Sequence, residues 1–176
     1  MLHDPRRFAA PAPVALKSAM RRMAGAVSVV TAGTGLHRTG ATVTSAQSLS
    51  VDPETMLISI NRSSSSWPAI RDHGAFCVNL LAASQLAVAD RFAGRGGEKG
   101  AARYEGAEWV QLATGAGALV GALASIDCEI EHVVERHSHA LIFGAVRAVV
   151  LGPPGPALVY AEGRYGALDL GAPPPT

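Results

Sequence analysis

Two hydroxyl-rich runs stand out as places where chemistry could be done. In GATVTSAQSLS, residues 40–50, the hydroxyls of Thr42, Thr44 and Ser45 fall within four positions, just after Gly40. Side-chain donors and backbone N–H groups, including that of Val43, could converge there on an anion or on the edge of a planar polar ring. An edge strand with a water-facing polar side has the same composition. In NRSSSSWPAI, residues 61–70, a strand runs into a turn and then a short helix. A helix N-terminus offers unpaired N–H donors and the positive end of its dipole, and Asn61, Arg62, Ser63, Ser64 and Ser65 crowd further polar groups around it. That is a phosphate pocket without a P-loop, although serine runs also build ordinary loops and caps.

Two weaker patterns follow. His132, His137 and His139 cluster before the run ALIFG, and the H-x-H spacing of the last two predicts both imidazoles on one strand face, a potential metal pair. No third ligand is evident, so a substrate-contacting or simply exposed histidine is favoured; a neutral imidazole beside a carboxamide needs no metal. Near the end, EGRY at 162–165 joins Gly163, which permits an unusual turn, to Arg164 and Tyr165, a cation and a stacking ring with a hydroxyl. A strand end with its tyrosine packed on the sheet reads the same way. No G-x-S-x-G elbow, G-x-G-x-x-G or G-x-x-x-x-G-K-[ST] occurs, which disfavours hydrolase, Rossmann and P-loop readings.

The elements that must position these residues are mostly strands. Apolar residues at helical spacings predict one amphipathic helix over 14–23, ended by Gly25. Strand-like runs follow at 26–32, 41–51, 56–61, 76–81, 119–134, 140–151 and 157–162, with short helices at 66–72 and 84–92, the second capped by Ser84. Many strands without regular βαβ alternation argue for an antiparallel barrel. Residues 94–103, GRGGEKGAAR, read as a mobile basic surface loop, in which Arg95, Lys99 and Arg103 could also meet a nucleotide 2′-phosphate.

With 176 residues, the chain suffices for one domain over 14–170, flanked by an arm over 1–13 and a tail over 171–176. The 15 Lys and Arg against 14 Asp and Glu supply no broad attraction for nucleic acid or an anionic bilayer. Cys77 and Cys128 sit in apolar surroundings and read as buried thiols. Without a signal-like start or a long apolar run, a cytoplasmic location is expected.

Taken in order, these segments resemble the flavin reductase family that supplies reduced flavin to two-component monooxygenases, a branch of the FMN-binding split-barrel superfamily. The likeness covers residues 16–168 and rests on GAVSVVT at 25–31, the run 40–53, NRSSS at 61–65, FCVNL at 76–80, DRFAG at 90–94 and Asp127 with Cys128. It implies a mainly β fold: a six-stranded antiparallel Greek-key split barrel with a few short flanking helices. It also implies a homodimer with flavin near the subunit interface, FMN or FAD as flavin, and NADH or NADPH as hydride donor. Flavin contacts are expected from Thr42, Val43, Thr44, Ser45, Ser48, Asn61, Arg62, Ser63, Ser64 and Ser65. His139, Gly163, Arg164 and Tyr165 are expected to serve the nicotinamide. The chain departs from the family in reading His137-Ser138-His139 for the usual G-D-H, and in placing Ala46 where an aromatic is commoner. The competing expectations are a non-catalytic flavin-binding barrel for storage or sensing, and an oxidase of the pyridoxamine-phosphate type, which would demand more cationic phosphate ligands than Arg62 and its neighbours supply.

Overall fold

β-branched residues at 27–31 make a strand whose two faces are both apolar, and such a strand must be covered on both sides. In a computed structural model, which describes residues 15–171, that strand is β2 (Ser28–Ala32), with every residue buried. The expected arm over 1–13 and residues 172–176 of the expected tail lie outside the described residues. Around β2 the chain runs α1 (Ala15–Arg21), β1 (Gly25–Ala26), β3 (Thr39–Val43), β4 (Gln47–Val51), β5 (Glu54–Asn61), α2 (Ser66–His73) and β6 (Ala75–Leu80). It continues through α3 (Leu86–Phe92), β7 (Trp109–Gln111), β8 (Gly117–Leu119), β9 (Ala124–Arg136), β10 (His139–Leu151), β11 (Ala157–Ala161) and β12 (Arg164–Leu168).

The strands form a seven-stranded antiparallel sheet, β3-β2-β6-β9-β10-β5-β4, a three-stranded sheet, β1-β11-β12, and the hairpin β7-β8. The fold is mainly β, as expected, with seven strands in the main sheet instead of six. The difference arises in residues 41–51, which were expected to form one strand. They break at residues 44–46, and the second half folds back on β5 as a separate edge strand, β4. The Ser45 hydroxyl holds that break by donating to the Ser59 carbonyl at 2.8 Å. The run 119–134 also divides, at Gly121, where φ is +77°.

Two apolar clusters fill the sheets. Val30, Ile58, Ile70, Phe76 and Ile142 form one; Val27, Leu81, Phe92, Tyr104 and Leu158 form the other. Each fully buried side chain of this size contributes about 1.5–3 kcal/mol. Gly40 is required for close approach: a Cβ there would meet the Val30 carbonyl at 2.5 Å and the Phe92 ring at 2.8 Å. Buried Asn79 fastens the β7-β8 hairpin, accepting from the Leu119 N–H at 2.7 Å and the Ser125 hydroxyl at 2.8 Å. Val27 joins the two larger sheets, its N–H donating to the Leu158 carbonyl and its carbonyl accepting from the Leu81 N–H.

Two local expectations are corrected. The helix expected from Ser84 begins at Leu86, after a 3-10 turn (Ala83–Gln85), and the Gln85 side chain takes the capping role, accepting from the Ala82 N–H at 3.1 Å. The loop over 94–103 is anchored at its end, because Arg103 donates to the Gly40 carbonyl at 2.6 Å and the following Tyr104 is buried, its hydroxyl donating to the Thr39 carbonyl at 2.7 Å. With these two bonds made, the glycine-rich segment closes into a 3-10 turn (Gly100–Tyr104) against β3. Among the described residues, no helix is long and apolar enough to cross a membrane.

Candidate functional site: a cavity between two sheets

β3 carries Thr42 and Val43 to the edge of the main sheet, and Thr44 follows at the break. Opposite them, the turn at Glu162 and Gly163 folds β11 against β12 and sets Tyr160 directly across from Tyr165. Gly163 has φ +80°, the left-handed conformation expected for it. The two tyrosine rings pack edge to face, with centroids 5.1 Å apart. Between the sheets lies a cavity of about 230 Å³ whose walls include Thr42, Val43, Thr44, Arg95, Tyr160 and Tyr165. A second hollow, about 490 Å³, shares Thr44 and Tyr160 with it and runs beneath Leu16, Met20 and Met23 at the start of the chain.

Hydrogen bonding decides which polar groups remain open to a ligand. The Thr42 hydroxyl donates to the Ala89 carbonyl at 2.6 Å, and that of Ser45 to Ser59. The Thr42 hydroxyl is thus engaged within the wall and Ser45 lines neither hollow, so Thr44 and the strand-end backbone are the donors left at the ring-edge position. Ser48 lies away from both hollows, exposed on β4 opposite Met56. Arg164 is exposed on β12, paired with Ala161.

The second polar run forms an exposed turn at the end of β5. Asn61 Oδ1 accepts from both the N–H and the hydroxyl of Ser63, at 2.9 Å each, while the Ser64 and Ser66 hydroxyls lie 2.9 Å apart. Ser65 stands at the start of α2 without a side-chain capping bond. The turn therefore presents serine hydroxyls at a helix start whose first N–H groups have no intrahelical partner. The Arg62 guanidinium turns toward the β9-β10 hairpin instead, contacting Glu135 at 2.5 Å and donating to the His137 carbonyl at 3.2 Å.

His139 starts β10 directly opposite Asn61. Its Nδ1 lies 2.9 Å from the Ser138 hydroxyl. His137 does not share its strand face: it occupies the turn before β10 with φ +51°, which corrects the expected H-x-H pair. A two-residue connection between strands leaves no room for His137 to alternate with His139. Among the described residues, no group of three His, Cys, Asp or Glu is arranged to hold a metal.

The first two runs are linked by the Ser45–Ser59 bond, which ties Ser45 to β5 two residues before Asn61, although none of residues 61–65 lines either hollow. His139 belongs to the Asn61 side and Tyr165 to the Thr42 side, and neither hollow beside Tyr160 is lined by His139. Sequence reasoning missed Tyr160, Ser138 and Glu135. Tyr160 was detectable, since a two-residue turn at 162–163 pairs positions 160 and 165. The Glu135 contact carries no local signal, because it joins strands 73 residues apart, counting 135 − 62.

Burial pushes the Tyr165 phenol up from its ordinary range, with Arg95 opposing the shift. The Arg95 guanidinium sits over the ring, 4.9 Å from its centroid, and pairs with Asp90 at 2.8 Å.

Comparisons with known proteins agree with this architecture. The chain is 39% identical over 157 residues to "FMN reductase (NADH) RutF 2" of Methylorubrum extorquens strain PA1, covering 88% of each chain. Among solved structures it resembles BorF, the flavin reductase component of a bacterial two-component tryptophan halogenase, with TM-score 0.80 and 28% identity over 87% of this chain and 96% of that one. It is also similar to nitrilotriacetate monooxygenase component B from Mycobacterium thermoresistibile, with TM-score 0.79, 27% identity and 94% of both chains covered. The sequence profile of the Flavin reductase like domain matches residues 20–169, and with the split-barrel architecture in place the chain belongs to that family.

Proposed function

We propose that this flavin reductase takes hydride from NADH and reduces FMN, acting as a cytoplasmic homodimer that passes reduced flavin to a partner monooxygenase. The observation that supports the reading is the Ser45–Ser59 bond, which ties the end of the ring-edge segment to β5 two residues before the serine turn begins. The donor set fits a flavin mononucleotide: hydroxyls and helix-start N–H groups for a phosphate, and Thr44 with strand-end backbone beside aromatic walls for a planar ring. A bound flavin supplies a two-electron acceptor; the chain has to hold it, orient the donor against it and exclude water.

In this reading the turn at residues 61–65 binds the phosphate, and Thr42, Val43 and Thr44 line the ring edge. Ser138 fixes the tautomer and angle of His139, which presents Nε2 to the nicotinamide carboxamide. Tyr165, held by Tyr160 and Arg95, gives the donor a stacking wall. NADH is favoured because Arg103 is engaged by Gly40 and Arg95 by Asp90, and because the 39%-identical relative bears that donor in its name. Exposed apolar residues on edge strand β4, Leu49 and Val51, support a second copy against that edge. The two solved relatives above, each a component of an oxygenase or halogenase system by name, support the monooxygenase partner.

The test is to mix purified protein with NADH and FMN and follow the absorbance of the reduced nucleotide, repeating with NADPH and with FAD. Flavin-dependent loss, faster with NADH, is expected; no flavin-dependent loss with either donor ends the proposal.

A further inference from the structure

At the opposite end of β3 from Thr44, the β2-β3 connection and the chain after Tyr104 enclose a separate hollow of about 260 Å³, which shares no lining residue with the cavity between the sheets. Arg38, Thr34, Gln111, Tyr104 and Trp109 line it, and none of its lining residues is acidic. The Arg38 guanidinium stacks over Tyr104, its carbon 4.3 Å from the ring centroid. Tyr104 is itself fixed, its hydroxyl donating to the Thr39 carbonyl and its backbone carbonyl accepting from the Trp109 indole N–H at 3.0 Å.

Arg38 Nε is shielded from solvent and has no acceptor among the described residues. A guanidinium donor withdrawn from water without a partner is costly, and the usual resolution is an acceptor that occupies the space beside it. Among the described residues no carboxylate pairs with Arg38, and the side chains of Thr34 and Gln111 make no hydrogen bond to another described residue. Stacking on Tyr104 holds the guanidinium plane in place, which suits recognition of an oxyanion by paired N–H groups.

We propose that this hollow binds a small oxyanion, with Arg38 as the cation and Thr34 and Gln111 as neutral donors at its rim. It is a second site, independent of flavin binding. The shared chemistry is a compact group of negatively charged oxygens; a tetrahedral phosphate and a planar carboxylate are the two sources to be told apart.

The experiment titrates the full flavin-free chain with inorganic phosphate, and separately with acetate, by isothermal calorimetry. Arg38→Gln, Gln111→Ala and Arg62→Gln are titrated alongside. Saturable binding of at least one anion is expected that persists in Arg62→Gln, where the serine turn is impaired, and that is weakened roughly tenfold or more by Arg38→Gln and about threefold by Gln111→Ala. Flavin-dependent NADH oxidation by Arg38→Gln should match the parent, which separates this site from the reductase reaction. If Arg38→Gln misfolds, exposed Gln111→Ala carries the test. Absence of saturation with both anions, unchanged binding in the Arg38 and Gln111 variants, or loss only in Arg62→Gln overturns the proposal and leaves Arg38 hydrated by trapped water.

Discussion

Arg95 covers one face of Tyr165, and the guanidinium that does so is also held by Asp90. A loop residue thereby fixes the aromatic wall of the cavity from outside the sheet that carries it. Arg95→Ala is expected to raise the KM for NADH about two- to fivefold, the equivalent of an exposed cation–π contact of about 0.5–1 kcal/mol. Tm should hardly change, because the pair is exposed. Since Arg95 lowers the Tyr165 pKa against the effect of burial, the variant's phenol should titrate at higher pH in an ultraviolet pH titration. A titration that moves downward contradicts the arrangement.

Arg62 is paired with Glu135, so a phosphate at the serine turn must compete with that carboxylate for the guanidinium. Glu135→Gln is predicted to tighten FMN binding severalfold, and Arg62→Ala to weaken it about tenfold, the scale of one charge-assisted hydrogen bond. Riboflavin, which lacks the phosphate, should bind all three proteins equally. Flavin fluorescence titrations read all of these affinities, and equal losses for FMN and riboflavin would show that Arg62 acts on the fold.

Ser138 stands where the family's G-D-H carries aspartate, and its hydroxyl reaches His139 Nδ1. His139→Ala should raise the KM for NADH more than it raises the Kd for FMN. Ser138→Ala should produce the same asymmetry at about two- to twelvefold, matching a neutral hydrogen bond of about 0.5–1.5 kcal/mol. Steady-state kinetics combined with direct flavin titration separates the two constants. A larger effect on FMN would move His139 to the flavin side.

Cys77 and Cys128 are fully buried, and burial pushes both thiols upward, Cys128 to about 12. The folded chain therefore keeps protons that the unfolded chain releases above about pH 9. This stabilisation is complete below that pH and is lost as pH rises toward the folded values, at about 1.4 kcal/mol per pH unit for each thiol. Denaturant melts between pH 8 and pH 11 should show falling stability, and Cys→Ser at either position should flatten the fall, whatever its baseline cost. Thiol reagents at pH 8 should label neither cysteine until the chain unfolds.

The strand-rich architecture was legible because short β-branched or apolar runs such as 27–31 and 140–146 have one physical solution, a covered sheet. The break at residues 44–46 was not, because small and hydroxyl residues run through it without a glycine or proline, and the β5 pairing and Ser59 carbonyl that favour the fold-back are contributed by another strand. Thr42, Val43, Thr44 and Tyr165 were readable as candidates and meet in one cavity. The orientations of Arg62 and Arg103 were hidden, since a long cationic side chain can choose among many carbonyls and carboxylates that only tertiary structure brings near. The departure at His137 and Ser138 looked like a lost orienting group; a serine hydroxyl at the same reach supplies one.

Thr42, Val43 and Thr44 stand on or beside the large sheet, Tyr160 and Tyr165 on the small one, and Val27 is bonded to both. The two groups thus behave as jaws stitched along a short seam, where residues 81–83 as well as Val27 bond the start of β11. Tilting the small jaw as a unit alters the gap while leaving its ladder bonds intact. Substitutions behind that jaw, at Leu158 for example, are a route to accommodating bulkier or slimmer molecules without changing any residue that touches them.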